Sequence, residues 1–291
     1  MKNRKAFLFL SITFAWSWIS WFIGLDLLSD GVNDKTINQF ITYFFLGVYG
    51  PSIGAIVTTI YFGGIQDTLD LVKKIFIWKL PVLNYLVVIA LPLLFLASGI
   101  GLYALFFGSP GVFENKSLAI PALLLNSIYI GPLGEELGWR GFLLPELQRE
   151  KSAVKSALIV GFVHFSWHIP LFWAPFGALV SGQPLSIVLI LTYLVLVICW
   201  SAIQTWLVNN SNGSVLIAIL FHLFLNAGIA LLFFPELYGD AYRSKTVYYL
   251  SSIITVPFTV YLVHKTRLTF KGHKSGKLPM NNMSTGNAGT H

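Results

Sequence analysis

A chain of 291 residues that is 55% hydrophobic, 15% aromatic and only 11% charged is not an ordinary soluble domain, for which about 25% charged is typical. Its mean hydropathy of +0.72 points to a polytopic membrane protein. The lone cysteine, Cys199, excludes an intramolecular disulfide and any multi-cysteine metal site.

Eight apolar segments follow one another, at 6–29, 39–63, 82–107, 118–147, 153–175, 185–208, 213–234 and 246–264. Each is long enough to cross a hydrocarbon core of about 30 Å as a helix. The fold class is therefore all-α, a polytopic membrane bundle of about eight transmembrane helices. The first segment follows Met-Lys-Asn-Arg-Lys but is long, rich in Trp and without a small-residue cleavage site, so it reads as a retained helix. Between the second and third spans, Ile65 to Leu80 is amphipathic and reads as a helix along the membrane interface. Pro132 and Gly134 interrupt the fourth segment, which reads as a kinked or broken helix whose polar half faces protein. The tail 271–291 is polar, rich in Asn, Gly, Ser and Thr, and reads as disordered.

The formal charge of +7 is explained by topology rather than by nucleic acid. With the N-terminus inside, fifteen Lys and Arg residues fall on the inner side and four on the outer, the bias that marks cytoplasmic loops. The expectation is a multi-pass protein of the cell membrane with both termini cytoplasmic. Its partners are then the lipid bilayer and a peptide or membrane-protein substrate, with no nucleic acid.

Chemistry concentrates where the apolar segments carry ionisable groups, which are costly at membrane depth and mark functional sites by default. The fourth segment holds Glu135 and Glu136, with Arg140 one helical turn beyond Glu136. The fifth holds His164 and His168, and the seventh holds His222 and Asn226. Counting helical rise places Glu135, His168 and His222 within about 6 Å of the midplane, so the three segments converge on one cavity. A glutamate beside histidine in such a pocket can act as general base on water. His222 and Asn226 can present donors to an oxyanion. The same residues also form a ligand set for a divalent metal, zinc foremost: Glu135, His168 and His222, with His164 as a further ligand. Both routes lead to amide hydrolysis.

Plainer readings stand beside these. Glu136 with Arg140 reads equally as an ion pair that makes a buried charge tolerable. His164 reads first as a packed, hydrogen-bonded histidine. Asn126 and Gln204 read as links between helices, and Trp173 and Trp206 as interfacial anchors.

The motifs resemble the CAAX protease and bacteriocin-processing (CPBP, or Abi) family of intramembrane proteases. Its Glu-Glu-x-x-x-Arg motif is matched by Glu135-Glu136-Leu-Gly-Trp-Arg140, with a Gly-Phe-Leu-Leu-Pro continuation. Its Phe-x-x-x-His motif is matched at His168, with His164 in the aromatic position, and its His-x-x-x-Asn motif by His222 and Asn226. Gly50-Pro51 also resembles a family feature. The resemblance implies that Glu135 and His168 activate water, His222 and Asn226 support the oxyanion, and Glu136 and Arg140 hold the site. No cofactor is certain on this reading. Because Asn226 is a poor zinc ligand and Arg140 would oppose a divalent ion, the expectation is water activation without an obligatory metal. It divides the chain into helices one to three (1–117), a protease core (118–234), a last helix (235–270) and the tail. The alternative is a non-catalytic scaffold or bacteriocin self-immunity protein of the same fold.

Overall fold

The structure is a computed structural model that describes residues 4–29, 31–108, 128–129, 131–178, 180–182, 184–233 and 241–269, with side chains described outside 229–233 and 241–244. Helices account for the regular structure of these residues, and no strand occurs among them. The first element, α1 (Arg4–Leu27), runs antiparallel to a second rod formed by α2 (Asp34–Val48) and α3 (Gly50–Lys73). The register is set by small residues. Ser17 Oγ donates to the Gly47 carbonyl at 2.7 Å and Trp21 Nε1 to that of Phe44 at 3.1 Å. Gly50 and Gly54 face Ser17 and Thr13, where any Cβ would collide. Without a hydrophobic drive between helices in lipid, such close approach is what binds them.

The second span is longer than the apolar run 39–63 suggests. Asn33 caps α2 by accepting from the Lys35 and Thr36 amides, and the Thr36 hydroxyl accepts from the Asn33 amide. The rod breaks at Tyr49, ahead of Gly50-Pro51, because Pro51 has no N–H to continue the ladder. Gly64 then bends α3 with φ +72°, a conformation glycine adopts without cost. Beyond it the interfacial helix expected over Ile65 to Leu80 is shorter: it ends at Lys73, and a 3₁₀ turn covers Lys74–Phe76. Thr68 and Leu71 are buried while Ile65, Leu69, Phe76 and Trp78 are exposed.

After α4 (Val82–Phe107) come α5 (Pro132–Glu136), a π-helical stretch (Leu137–Leu143) and α6 (Leu144–Gln148). These last three, with the helical residues 128–129, belong to the interrupted fourth segment, whose residues 118–127 and 130 lie outside the described residues. The fifth segment is helical only over α7 (Ala153–Trp167), with a 3₁₀ turn at Ile169–Trp173. Pro170 disfavours helical backbone at Ile169, so the helix stops short of residue 175. The chain closes with α8 (Ile187–Asn209), α9 (Val215–Phe233) and α10 (Ala241–Thr266). Among the described residues, five stretches are long and apolar enough to cross a membrane: 4–27, 34–76, 82–107, 187–209 and 245–266. Ala153–Trp167 and Val215–Gly228 are shorter apolar helices. The tail 271–291 lies outside the described residues.

The segment around the glutamates is the axis of the bundle. Gly134 to Gly141 are all buried, against α3 on one side and α9 on another. α7 packs on α8, where Gly161 faces Ile198 and Ser201, and α4 packs on α10, where Gly99 faces Val247 and Ser251. Loops meet at one end of the bundle: Asn209 Nδ2 donates to the Leu268 carbonyl, Asn84 Nδ2 to that of Asn210, and Ser214 Oγ to that of Ile77.

Two tests follow from this packing. Gly47→Val drives a branched side chain into the buried Trp21 ring and should cost about 1–3 kcal/mol in a denaturant titration of purified protein. Gly101→Ala, which meets open space within α4, should be neutral or stabilising by about 1 kcal/mol. For topology, reporter fusions at Gly182 and Asn212, at opposite ends of α8, should report opposite sides of the membrane; the same side for both would remove a span.

Candidate active site

The glutamate segment owes its shape to three residues. Gly131 has φ +151°, which side-chain-bearing residues rarely adopt, and its carbonyl accepts from the Glu135 amide at 2.9 Å. Pro132 then occupies the first turn of α5, where a missing N–H costs nothing. Downstream, the ring of Pro145 would press on the carbonyl four residues back, that of Gly141. The wider turn over Leu137–Leu143 makes room, and π-helical turns of this kind are frequent at functional sites.

Two carboxylate–histidine pairs result. His164 Nε2 lies 2.7 Å from Glu135 Oε2, and His222 Nδ1 lies 2.7 Å from Glu136 Oε1. Glu136 is fully buried and gathers further donors. Arg140 NH1 is 3.1 Å from Oε1 and 3.1 Å from Oε2, and Gln204 Nε2 is 3.2 Å from Oε1. Gln204 also donates to the Ala218 carbonyl at 3.3 Å, so it links α8 to α9 as well as to the glutamate. A buried carboxylate is tolerable only with such company.

His168 is placed differently. Its Nδ1 is 3.0 Å from the His164 carbonyl, and its ring stacks on that of His164 with centroids 4.9 Å apart. A carbonyl only accepts, so Nδ1 carries the proton and Nε2 keeps the lone pair in the neutral ring. The structure thus pairs Glu135 directly with His164 rather than with His168.

Around Gly131 the remaining polar atoms converge. A Cβ built there would lie 2.9 Å from Glu135 Oε1, 3.2 Å from Asn226 Nδ2 and 3.6 Å from His222 Nε2. The two oxygens of Glu135 therefore have separate surroundings: Oε2 is held by His164, and Oε1 faces Asn226 and His222. Two residues carry this geometry without being singled out as site residues by spacing: Gln204, which reads only as a link between helices, and Gly131, whose place just ahead of Pro132 and the glutamates is the one available signal. His164, read first as a packed histidine and otherwise as a further metal ligand, is the residue that bonds Glu135. Asn126 lies outside the described residues.

The donor set also suits a transition metal. Glu135, His164 and His168 each bring one ligand atom within 4.8 Å of the others.

These positions coincide with a known family. One described as type II CAAX prenyl endopeptidase, Rce1-like, matches residues 117–228. Over that segment the chain is similar to the Rce1-like family. The matched segment contains every residue of both carboxylate–histidine pairs, with Arg140, Gln204 and Asn226. Among curated proteins, the CAAX prenyl protease 2 of Methanococcus maripaludis is 29% identical over 126 residues. The alignment spans 43% of this chain and 46% of that protein, less than half the length of each.

The role of Gln204 is testable by stability. Gln204→Leu leaves Glu136 short of a donor and should cost about 1–3 kcal/mol in denaturant unfolding. Gln204→Glu, which sets a second carboxylate beside Glu136, should cost more.

Proposed function

We propose that this multi-pass membrane protein is an intramembrane endopeptidase that hydrolyses a peptide bond with water activated by Glu135. The observation that carries the reading is the division of labour between the two oxygens of Glu135. His164 holds Oε2, so Oε1 is the atom turned towards the space shared with Asn226 and His222. A water seated there gives its proton to Oε1 while its oxygen attacks the scissile carbonyl. Asn226 Nδ2 is placed to donate to the oxyanion that forms. His222, its Nδ1 committed to Glu136, offers Nε2 to the same centre. Collapse of the tetrahedral intermediate breaks the C–N bond, and the proton taken by Glu135 passes to the leaving amine. His168, stacked on His164, offers its Nε2 lone pair from the next turn and helps orient the water. Glu136, Arg140 and Gln204 hold the frame.

By its Rce1-like segment, the substrate class we assign is a peptide or membrane protein cut near a lipid-modified or membrane-bound end. The excess of Lys and Arg in the corresponding loops supports both chain ends on the cytoplasmic side.

A metal-assisted form is the second reading, favoured by the Glu135, His164 and His168 cluster. The Nδ1 protons of His168 and His222, bound to a carbonyl and a carboxylate, are oriented as in metal-ligating histidines. When bound, the ion would polarise the carbonyl or ease ionisation of water. Elemental analysis of active protein, with activity followed in chelator, separates the two readings: the metal-free form predicts full activity after metal removal.

Glu135→Gln should abolish cleavage while leaving the protein inserted and folded. Gly131→Ala, whose methyl fills the space between Oε1, Asn226 and His222, should lower the rate by about 100-fold. A Glu135→Gln protein that cleaves at the wild-type rate would overturn the assignment, and one that lacks cleavage yet keeps the cellular phenotype would make the protein a scaffold.

A further inference from the structure

Lys74 sits in the 3₁₀ turn after the kinked end of α3, in sequence far from the glutamates. Its neighbour Lys73 behaves as an ordinary surface lysine, exposed and paired with Asp70 at 2.8 Å. Lys74 instead turns inward, and its Nζ donates to the Gly141 carbonyl at 2.7 Å. That carbonyl has a particular need. Pro145, which has no N–H, stands where pairing returns from the i+5 spacing of Leu137–Leu143 to the i+4 spacing of α6, and in i+4 spacing Gly141 is the carbonyl it leaves without a donor. A carbonyl inside a membrane protein that lacks its helical donor must find another.

We infer that Lys74 is a positioning residue for the glutamate pair: it supplies the hydrogen bond that Pro145 denies to Gly141 and so holds the π-helical turn between Glu136 and α6. The inference rests on the proposed hydrolase for its functional consequence, but its structural part stands alone. Gly141 lies in the same widened turn as Arg140, the ion-pair partner of Glu136, so the pitch of this turn sets where both side chains point. The contact is also the centre of a junction. A Cβ on Gly141 would lie 3.3 Å from Leu71 of α3 and 3.2 Å from Val215 of α9. Three residues past Lys74, the Ile77 carbonyl accepts from Ser214 Oγ at 2.7 Å, at the start of the helix that carries His222 and Asn226. One short segment, 71–77, thus grips both elements of the site from the inner end.

The test uses the full chain in proteoliposomes, as wild type, Lys74→Met, Lys74→Arg and Lys73→Met. Amide hydrogen exchange over 137–148 and steady-state peptide cleavage are both measured. Lys74→Met should speed exchange in 137–143 and lower kcat about tenfold with KM within about twofold. Lys74→Arg, which keeps a donor, should retain protection and rate, and Lys73→Met should match wild type. Where Lys74→Met folds poorly, Lys74→Met/Pro145→Ala decides, since alanine restores the helical N–H and should recover protection. Unchanged exchange in Lys74→Met, or failure of both Lys74→Arg and the double variant to protect, would overturn the inference. A wild type that cleaves no peptide, with the exchange pattern as stated, would overturn the hydrolase and leave the positioning role intact.

Discussion

Everything in the site depends on a carboxylate that has no access to water. Glu136 is 0% exposed, and Arg140, its ion-pair partner, is 1% exposed at the side chain. The attraction alone does not offset the loss of hydration for two buried ions; neutral donors must complete the shell. Those donors come from elsewhere in the chain: Gln204 from α8 and His222 from α9. Satisfying one charge therefore fixes three segments relative to each other. The second carboxylate, Glu135, directly precedes it in sequence, turned to a different face and met by His164 of α7.

Helix geometry explains why adjacent glutamates reach different partners. Successive residues on a helix point about 100° apart, so Glu135 turns one oxygen to α7 and the other to the space beside α9, while Glu136 faces α8 and α9. The widened turn that follows keeps Arg140 beside Glu136 and passes the chain on to α6 without a clash at Pro145. Gly134 and Gly138 then allow the backbone of Val48 and Pro51 to approach a segment that carries two charges. At Gly138 a Cβ would meet the backbone of Pro51, which is how α3 covers the glutamates from the side.

Much of this was legible in the residues. Apolar length marks the spans because lipid admits little else, and Val82–Phe107 coincides with its apolar run. The expectation that Glu135, His168 and His222 converge follows from counting helical rise, and the structure adds His164, 2.7 Å from Glu135. Pairing was harder to read. The i and i+4 relation of His164 and His168 places both near Glu135, and which of them bonds it depends on the stacking of the two rings and the capture of His168 Nδ1 by a carbonyl. Helix ends were misread where proline acts at short range: Pro170 ends α7 early, and Gly50-Pro51 splits a rod that hydropathy shows as one run. The link from Lys74 to Gly141 joins residues 67 apart, and no periodicity connects them.

The most direct test of the account is a double-mutant cycle on Glu136 and Arg140, read as unfolding free energy of the purified protein. Glu136→Gln and Arg140→Met should each cost about 3–5 kcal/mol, because each strands its partner's charge in the bundle. The pair together should cost less than the sum by about 2 kcal/mol or more. Additive costs would contradict the account, since the buried ion pair would then not be the interaction on which the two carboxylate–histidine pairs are built.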